Sequence, residues 1–233
     1  MSADRTAERD VRIHLKVSVD GRDSVAPGHS AAAHYDRPRL DWRRGLPVLR
    51  SDTVLLRELR QSDAPALMAY VANPAVLEYV AGAPRSLEGF RRFIRWCRAQ
   101  RRAGTYLTFG VVPTNQPTVA GLLQIWPIEH DFSTAEWGFV IGQPFWGTGV
   151  FNRAAELLLD FAFQTLGVVR LEARAVEADR RCNGVLRKLG ATAEGRLRSS
   201  FRSNHVVLDH VMWSILAPEW PLERSGGTRA IEP

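Results

Sequence analysis

The sequence contains very little lysine. Of its 31 basic residues only Lys16 and Lys188 are lysines, so arginine carries the formal net charge of +6 over 233 residues. A bias of this kind can reflect genome base composition, and basicity alone therefore does not establish a nucleic-acid partner. An anionic cofactor is an equally good reason for local positive charge.

Cysteines and long apolar runs are also scarce. Cys97 and Cys182 are the only cysteines, which excludes a disulfide framework and gives no metal-ligand spacing. No stretch approaches the length of a membrane span. The N-terminus lacks an apolar signal core, and its acidic residues argue against a transit peptide: Asp4, Glu8 and Asp10. The sequence therefore predicts a cytoplasmic protein with no structural metal.

Three parts of the chain differ in pattern. Residues 1–45 predict an N-terminal extension, in which apolar and polar residues alternate over 11–19 as in an edge strand, followed by a loop. Residues 46–216 alternate between strand and helix periods and predict the folded domain. Residues 217–233 contain proline and glycine and predict a loose tail.

The domain reads as a strand, two helices, three strands, a helix, a strand, a helix and two strands. Ser86 and Asp179 are suitable helix N-caps, and Gly190 is suited to end a helix. This order predicts an α/β domain built on a mixed sheet. The predicted strands are 53–59, 106–112, 119–126, 135–141, 169–176, 192–198 and 206–216.

A turn with three glycines joins the strand at 135–141 to the helix at 152–166. Gly142, Gly147 and Gly149 remove side chains that would block backbone N–H groups from an anion. The helix N-terminus adds unpaired donors and the positive end of its dipole, which suit pyrophosphate. The alternative is a tight connection in which the glycines serve only chain geometry. The turn is neither a Walker loop nor a dinucleotide fingerprint.

The most specific pattern in the chain consists of three segments: PFWGTGVFNRAAELLLDFAF, VRLEARAVEADRRCNGVLRKLGATAEGRLRSSF and LDHVMWSIL. Together they resemble the GNAT superfamily of N-acetyltransferases, in its RimJ/RimL-type branch, and the resemblance covers about residues 46–220. It implies an α/β GNAT fold with a mixed, mostly antiparallel central sheet and flanking helices. In this fold the fourth and fifth strands splay apart, and the pantetheine of coenzyme A inserts between them.

The resemblance also implies how acetyl-CoA is bound. The backbone of the fourth strand would pair with pantetheine, and N–H groups of the turn would bind pyrophosphate. Asp179 stands where the family usually has Asn, so Asn183 or Arg180 would take over part of its contact. The residues assigned to the coenzyme are Phe139, Val140, Ile141, Trp146, Gly147, Thr148, Gly149, Val150, Phe151, Asn152 and Asn183.

Two residues of the turn depart from the family pattern. Trp146 replaces the usual Arg or Gln, and Phe151 stands where Gly or Ala is common. Since both positions act mainly through backbone N–H groups, the resemblance still implies coenzyme binding.

Glu136 is the candidate general base. Amine acylation requires the ammonium to lose a proton before it attacks the thioester, and the resemblance implies that many relatives keep a base at this position of the fourth strand. The alternative is a strand carboxylate that is merely hydrogen-bonded or solvated.

Cys182 is the candidate general acid. It occupies the position where the family usually has Ser, and a thiol with an ordinary pKa of about 8.5 suits proton donation to a thiolate. Cys182 also lies on an apolar helix face, where a free cysteine commonly acts as a small core residue, so both roles remain open. The tyrosines lie far upstream, which excludes a tyrosine on this helix.

Two further charged segments have a functional and a structural interpretation. Residues 129–131 (Glu-His-Asp) would attract a cationic amine, or they form a solvated hairpin. Arginines at helical spacing in the second helix would bind ribosome, RNA or an acidic peptide, or they form an exposed helix face opposite the apolar one. These arginines are Arg91, Arg95, Arg98 and Arg102, with Arg92 and Arg101 beside them.

The sequence therefore predicts an acetyl-CoA-dependent N-acetyltransferase that acts on a primary amine. The resembling branch favours a protein N-terminal α-amine, as in ribosomal proteins. The alternatives are a small-molecule amine acceptor, or a non-catalytic module that senses acyl-CoA or binds nucleic acid. Either a monomer or a homodimer is compatible with the sequence.

Overall fold

An eight-stranded mixed sheet forms the centre of the protein in a computed structural model that describes residues 41–203 and 206–221. The strand order is β1-β2-β3-β4-β5-β6-β8-β7, and every neighbouring pair is antiparallel except β5 and β6. The strands are β1 Leu49–Arg50, β2 Val54–Glu58, β3 Leu107–Pro113, β4 Gly121–Pro127, β5 Thr134–Ile141, β6 Arg170–Val176, β7 Thr192–Ser203 and β8 Val206–Leu216.

Helices cover the sheet from two sides, and each side has its own apolar cluster. One cluster contains side chains of the first and third helices, and the other contains those of the fourth and fifth. Burial of these apolar faces is the main term that stabilises the two layers against the sheet. The helices are α1 Ala64–Val71, α2 Pro74–Leu77, α3 Leu87–Ala103, α4 Val150–Phe161 and α5 Arg180–Lys188.

The predicted fold class and several local signals are confirmed. The Ser86 side chain accepts a hydrogen bond from the N–H of Gly89 at the start of α3. Asp179 caps α5 in the same way by accepting from the N–H of Cys182. Gly190 has φ = 90° directly after the C-cap of α5, a conformation that glycine adopts without strain.

Some local structure differs from the sequence-based expectation. The short helix α2 was not predicted: Asn73 caps it, with Pro74 at its first position, where a missing N–H has no cost. The last five residues of the helix predicted at 152–166 form a π-helical turn, Ala162–Leu166. The strand β7 continues beyond residue 198 because an irregularity in its pairing with β8 absorbs the extra residues.

The packed core extends past both predicted domain boundaries. Trp42 is 8% exposed and belongs to the core cluster that contains side chains of α4 and α5, although the extension was expected to reach residue 45. Trp220 is 3% exposed and its indole N–H donates to Asp160, although the tail was expected to begin at 217. The packed core thus includes Trp42 and Trp220, because a buried tryptophan contributes to the core that it contacts. The candidate edge strand at 11–19 lies outside the described residues.

The arginines of α3 do not form one free basic face. Arg101 is 4% exposed; it pairs with Glu58 at 2.5 Å and donates to the carbonyls of Trp42 and Arg43. Its expected place opposite the apolar face is therefore wrong. Arg98 donates to the carbonyl of Leu59. These contacts favour a structural role for part of the row.

Candidate functional site

A gap between β5 and β6 forms the candidate site. The two strands pair only where Thr134–Glu136 face Arg170–Glu172. Beyond that point β5 continues along β4 and β6 continues along β8, so the parallel strands separate. The resemblance implied that the fourth and fifth strands of the domain, counted from residue 46, splay apart. In the structure these strands are β5 and β6, and they separate as expected. A cleft of about 500 Å³ occupies the gap.

One end of the cleft is the turn that precedes α4. Gly147 and Gly149 have φ values of 73° and 84°, and a Cβ on either would contact nothing within 4 Å. Gly149 is the N-cap of α4 and provides no capping side chain, and the first turn of the helix has no acidic residue. The first N–H groups of a helix have no partner within it. The turn therefore presents backbone donors beside open space, an arrangement that suits a phosphate.

Gly142 has a different role from the other two glycines. Its φ is not positive, and a Cβ at this position would lie 2.7 Å from Cβ of Tyr70. Close packing against α1 therefore requires glycine here. Gly142 therefore serves chain geometry, which was the alternative interpretation of the turn. The space beside Gly147 and Gly149, in contrast, is open.

Trp146 holds an arginine over the turn. Its indole N–H donates to the carbonyl of Ile141 at 3.0 Å, and Cζ of Arg181 lies 3.6 Å from the ring centroid. A guanidinium stacked in this way is preorganised and keeps its charge. Arg180 and Lys188 also line the cleft. Arg181 was not predicted from the sequence, in which its only signal was its place in the first turn of a helix.

Most of the residues assigned to the coenzyme lie along the cleft, but three do not line it. Thr148 donates its hydroxyl to the carbonyl of Phe145, and Val150 begins α4 beside it. Those lining the cleft are Phe139, Val140, Ile141, Trp146, Gly147, Gly149, Phe151 and Asn152.

The third residue outside the cleft is Asn183, and its assignment is corrected. The Asn183 amide donates to the carbonyls of Val176 and Asp179 at 2.8 Å and accepts from the indole N–H of Trp213 at 2.9 Å. This side chain is buried between α5 and the sheet, so its donors and acceptor serve packing rather than a coenzyme.

Glu136 lies where β5 and β6 begin to separate. It is 4% exposed, lines the cleft, and pairs in register with Trp126 of β4 and Glu172 of β6. Burial raises the pKa of this carboxyl to about 7, although Arg174 lowers it and Glu172 raises it further. A buried carboxyl with a pKa near neutrality suits proton transfer at physiological pH.

Arg174 is the charged neighbour of Glu136 and was missed by the sequence analysis. Its Nε lies 3.4 Å from Oε1 of Glu136, and within the described residues this buried nitrogen has no hydrogen-bond partner. The alternation of β6 was the available signal, because Arg170, Glu172 and Arg174 share one face of the strand. Without the strand order, that face could not be matched to Glu136.

Cys182 lines the cleft but has the environment of a packing residue. Its side chain is half-buried against the core cluster of α4 and α5. Burial, and to a smaller extent the Asp179 carboxylate, raise the pKa of the thiol well above its ordinary value. A weaker acid is a poorer proton donor to a departing thiolate, so the structure favours the packing alternative.

Other side chains of the cleft were not identified from the sequence, among them Tyr79, Phe201 and His210. Tyr79 follows α2, which was itself missed, and the other two belong to β7 and β8. Residues 129–131 are exposed in the β4–β5 hairpin and do not line the cleft, which favours the solvated interpretation. Among the described residues no group of His, Cys, Asp and Glu could hold a metal ion. In that same part of the chain, no helix has the length and apolarity needed to cross a bilayer.

Comparison with known proteins identifies a family with this architecture. Residues 53–192 match the family model described as an acetyltransferase (GNAT) domain. The chain is 25% identical to the uncharacterized N-acetyltransferase p20 of Bacillus licheniformis over 176 residues, which is 75% of this chain and 99% of that protein. It is 32% identical to spermidine N(1)-acetyltransferase of Escherichia coli (strain K12) over 85 residues, 36% of this chain and 46% of that protein.

A solved structure with the same fold is that of RimL, a ribosomal L7/L12 alpha-N-protein acetyltransferase. It matches with a TM-score of 0.66 and covers 72% of this chain and 93% of its own. The sequence identity is 23%, so this likeness concerns the fold alone.

Proposed function

The chain belongs to the GNAT acetyltransferase family, and from this premise we propose that it transfers the acetyl group of acetyl-CoA directly to a primary amine in the cleft between β5 and β6. The observation that carries this proposal is Glu136, a buried carboxyl with a pKa of about 7. It lies at one end of the gap, and the turn with Gly147 and Gly149 lies at the other.

The cleft can hold the two ends of coenzyme A in different environments. Phosphates fit the backbone donors at 147–152, with Arg181 above them. Beyond Glu136, the edge of β5 that faces the gap has no neighbouring strand among residues 41–203 and 206–221. Amide groups of pantetheine can pair with this edge along 139–141, because strand N–H and C=O groups that are removed from water require partners.

Glu136 is the proton acceptor in the proposed reaction. The carboxylate accepts a proton from the ammonium of the acceptor, and the neutral amine attacks the thioester carbonyl. The C–S bond then breaks, and the proton that the nitrogen loses as the amide forms passes to the thiolate of coenzyme A. Arg174 keeps part of the Glu136 population ionised near neutral pH, since its charge opposes the effect of burial.

The proposed acceptor is the N-terminal α-amine of a protein. The sequence motifs of the chain resemble the RimJ/RimL-type branch, and half-buried side chains of β6 and β8 next to Glu136 would border an acceptor there: Arg170, Glu172, Arg174 and Met212.

A polyamine is the second candidate acceptor. The relative with 32% identity over 85 residues is named a spermidine N(1)-acetyltransferase. In addition, Glu78 and Asp179 line the cleft together with Glu136, and such carboxylates attract a polycation.

A colorimetric assay of free thiol tests the proposal. Acetyl-CoA is combined with peptides that have free N-termini, with the same peptides blocked at the N-terminus, or with spermidine. Release of thiol with free peptides alone supports the α-amine acceptor, and release with spermidine alone supports the polyamine. Binding of acetyl-CoA without release by any acceptor would instead indicate a sensing module.

Glu136→Gln supplies the mechanistic control for this assay. The variant is expected to lower kcat by roughly a hundredfold or more at neutral pH, the usual range for loss of a general base. The loss is expected to shrink at high pH, where the amine deprotonates without help. A wild-type rate in this variant at neutral pH would remove Glu136 from the mechanism.

A further inference from the structure

The guanidinium of Arg174 has donors that the protein leaves without acceptors. Within the described residues its ion-pair partner is Glu136, with 3.4 Å between Nε and Oε1. A guanidinium carries five N–H donors, and in the same part of the chain Nε has no hydrogen-bond acceptor. The side chain is 27% exposed and lines the cleft. Arg174 is therefore available to donate to a molecule bound in the cleft.

The neighbouring charged groups on this face of the sheet satisfy one another. Arg170 donates from Nε to Glu172 at 2.7 Å, and its two terminal nitrogens donate to the two carboxylate oxygens of Glu194 at 2.7 and 2.5 Å. The hydroxyl of Ser214 donates to the same carboxylate at 2.6 Å. Arg174 takes no part in these contacts, so it differs from Arg170 in having donors to spare.

The separation of the strands leaves space in front of Arg174. Glu136 faces Glu172 at the last paired position of β5 and β6. Two residues further along, on the same face of each strand, are Gly138 and Arg174. Because glycine has no side chain, β5 places none opposite the guanidinium at this level. Arg174 therefore borders the gap directly beside the carboxyl of Glu136.

The carboxyl and the guanidinium together match two atoms of an N-terminal residue. The amine nitrogen and the carbonyl oxygen of such a residue are joined through two carbons and lie about 3 Å apart. The two protein groups are 3.4 Å apart. One residue can therefore place its ammonium at Glu136 and its carbonyl at Arg174. A simple alkylamine or a polyamine has no oxygen to place there.

Basicity favours the same class of acceptor. An α-ammonium has an ordinary pKa of about 7.7–8.0, whereas the alkylammonium of lysine has one of about 10.4. The pKa of Glu136, at about 7, is close to the first value and far below the second. Proton transfer to Glu136 is therefore less unfavourable from an α-ammonium.

We propose that Arg174 donates a hydrogen bond to the carbonyl of the acceptor's first residue and thereby selects an α-amino acyl group over a simple alkylamine. This role rests on the proposed peptide acceptor. It makes Arg174 a specificity residue, in addition to the effect of its charge on Glu136.

A peptide and an analogue of it test this contact. In the analogue a trans carbon–carbon double bond replaces the first peptide bond, which keeps the amine and the planar shape but removes the carbonyl oxygen. The wild type is expected to use the peptide with a kcat/KM about ten- to a hundredfold higher, the effect of one hydrogen bond to a charged group. In Arg174→Met, which has no donor, this ratio is expected to shrink about tenfold or more.

Two controls isolate the carbonyl and the position of the arginine. The double bond also removes the first amide N–H, so an ester at the same bond, which keeps a carbonyl and lacks the N–H, is expected to react within about threefold of the peptide. Arg95→Met makes the same substitution on the exposed side of α3, away from the cleft, and is expected to keep the wild-type ratio.

The ratio of the two acceptors removes the effect of Arg174 on Glu136. Since Arg174 lowers the pKa of this carboxyl, its loss raises that pKa and slows the peptide and the analogue alike. A binding measurement without turnover gives the same comparison. Calorimetric titration of the complex with coenzyme A is expected to show tighter binding of the peptide than of the analogue in the wild type, and equal binding in Arg174→Met.

An unchanged ratio in Arg174→Met would overturn the proposal, and so would an equal loss of the ratio in Arg95→Met. If the wild type acetylates spermidine but no peptide, the proposed acceptor and this inference fail together. If the wild type acetylates the peptide and its double-bond analogue equally well, the α-amine acceptor stands and this inference alone is removed.

Discussion

At the scale of single residues, Glu136 combines a chemical function with a thermodynamic cost. The carboxyl has a pKa of about 7 in the folded protein against an ordinary value of 4.5. Between these two values the unfolded chain is ionised and the folded protein is protonated, so stability falls as pH rises through this window. Above pH 7 the full cost is present, amounting to about 3 kcal/mol at most.

Glu136→Gln is therefore expected to be more stable than the wild type at pH 8 and nearly equal to it at pH 4. The gain at pH 8 is smaller than about 3 kcal/mol, because the substitution also leaves Arg174 without its carboxylate. Urea unfolding of both proteins at the two pH values measures the difference. An equal difference at both pH values would mean that the gain does not come from ionisation.

Cys182 provides a second test at this scale. Because burial raises the pKa of its thiol, we expect Cys182→Ala to keep kcat within about threefold and to cost ~1 kcal/mol in stability from lost apolar contact. Cys182→Ser is expected to be no faster, since it places a hydroxyl against an apolar surface. If Cys182→Ala lowers kcat tenfold or more and Ser restores it, the general-acid alternative holds.

Individual residues were predictable where a local pattern identified them. Glu136 and the glycine turn belong to continuous segments with a recognisable motif. Arg174 and His210 reach the cleft through strand order and register, and Tyr79 through the position of a short helix. Asn183 was misassigned because a helix position does not reveal which neighbours satisfy its amide.

At the scale of secondary structure elements, the start of α4 permits a controlled test of phosphate binding. Gly149 and Gly167 precede and follow this helix and its π-helical turn, with φ values of 84° and 75°, and a Cβ on either meets nothing within 4 Å. Alanine at either position therefore imposes a similar backbone cost, of order 1–3 kcal/mol.

Only Gly149→Ala is expected to weaken acetyl-CoA binding, because its methyl group enters the space beside the helix donors. Isothermal titration calorimetry is expected to show at least a tenfold higher Kd for Gly149→Ala and an unchanged Kd for Gly167→Ala. Equal affinities in the two variants would place the phosphates elsewhere.

The predicted boundaries of helices agree with the structure where a capping side chain or a glycine marks them. Ser86 and Asp179 satisfy free N–H groups of their helices, which is why these starts were predictable. The π-helical turn after α4 and the bulge in β7 depend on tertiary contacts, so the local sequence did not reveal them. The row of arginines on α3 had the correct helical spacing, but only the packed structure shows that Arg101 points inward to Glu58.

At the scale of the whole molecule, a tryptophan near each end of the described chain packs into the core cluster that contains side chains of α4 and α5. Trp220 donates to Asp160 of α4, and Trp42 contacts Phe132 edge-to-face with ring centroids 5.6 Å apart. The order of elements predicted the α/β class correctly. It could not predict these contacts, because they join segments that lack a periodic pattern of their own.

The contacts of Trp42 lead to a prediction about where the folded unit begins. A chain that starts at Leu46 loses Trp42, and Arg101 keeps Glu58 but loses the carbonyls of Trp42 and Arg43 as acceptors. Compared with a chain that starts at Asp41, it is expected to be less stable by about 3–5 kcal/mol, the usual cost of removing a buried tryptophan. Trp42→Ala in the full chain is expected to account for most of this loss.

Because Trp42 does not line the cleft, the effect is expected in the urea midpoint and not in kcat measured well below the unfolding transition. Met68→Ala, a change of an exposed apolar side chain on α1, is the control and is expected to shift stability by less than about 0.5 kcal/mol. Equal urea midpoints for the chains starting at Asp41 and Leu46 would show that Trp42 covers the core without stabilising it, and the boundary at Leu46 would then stand.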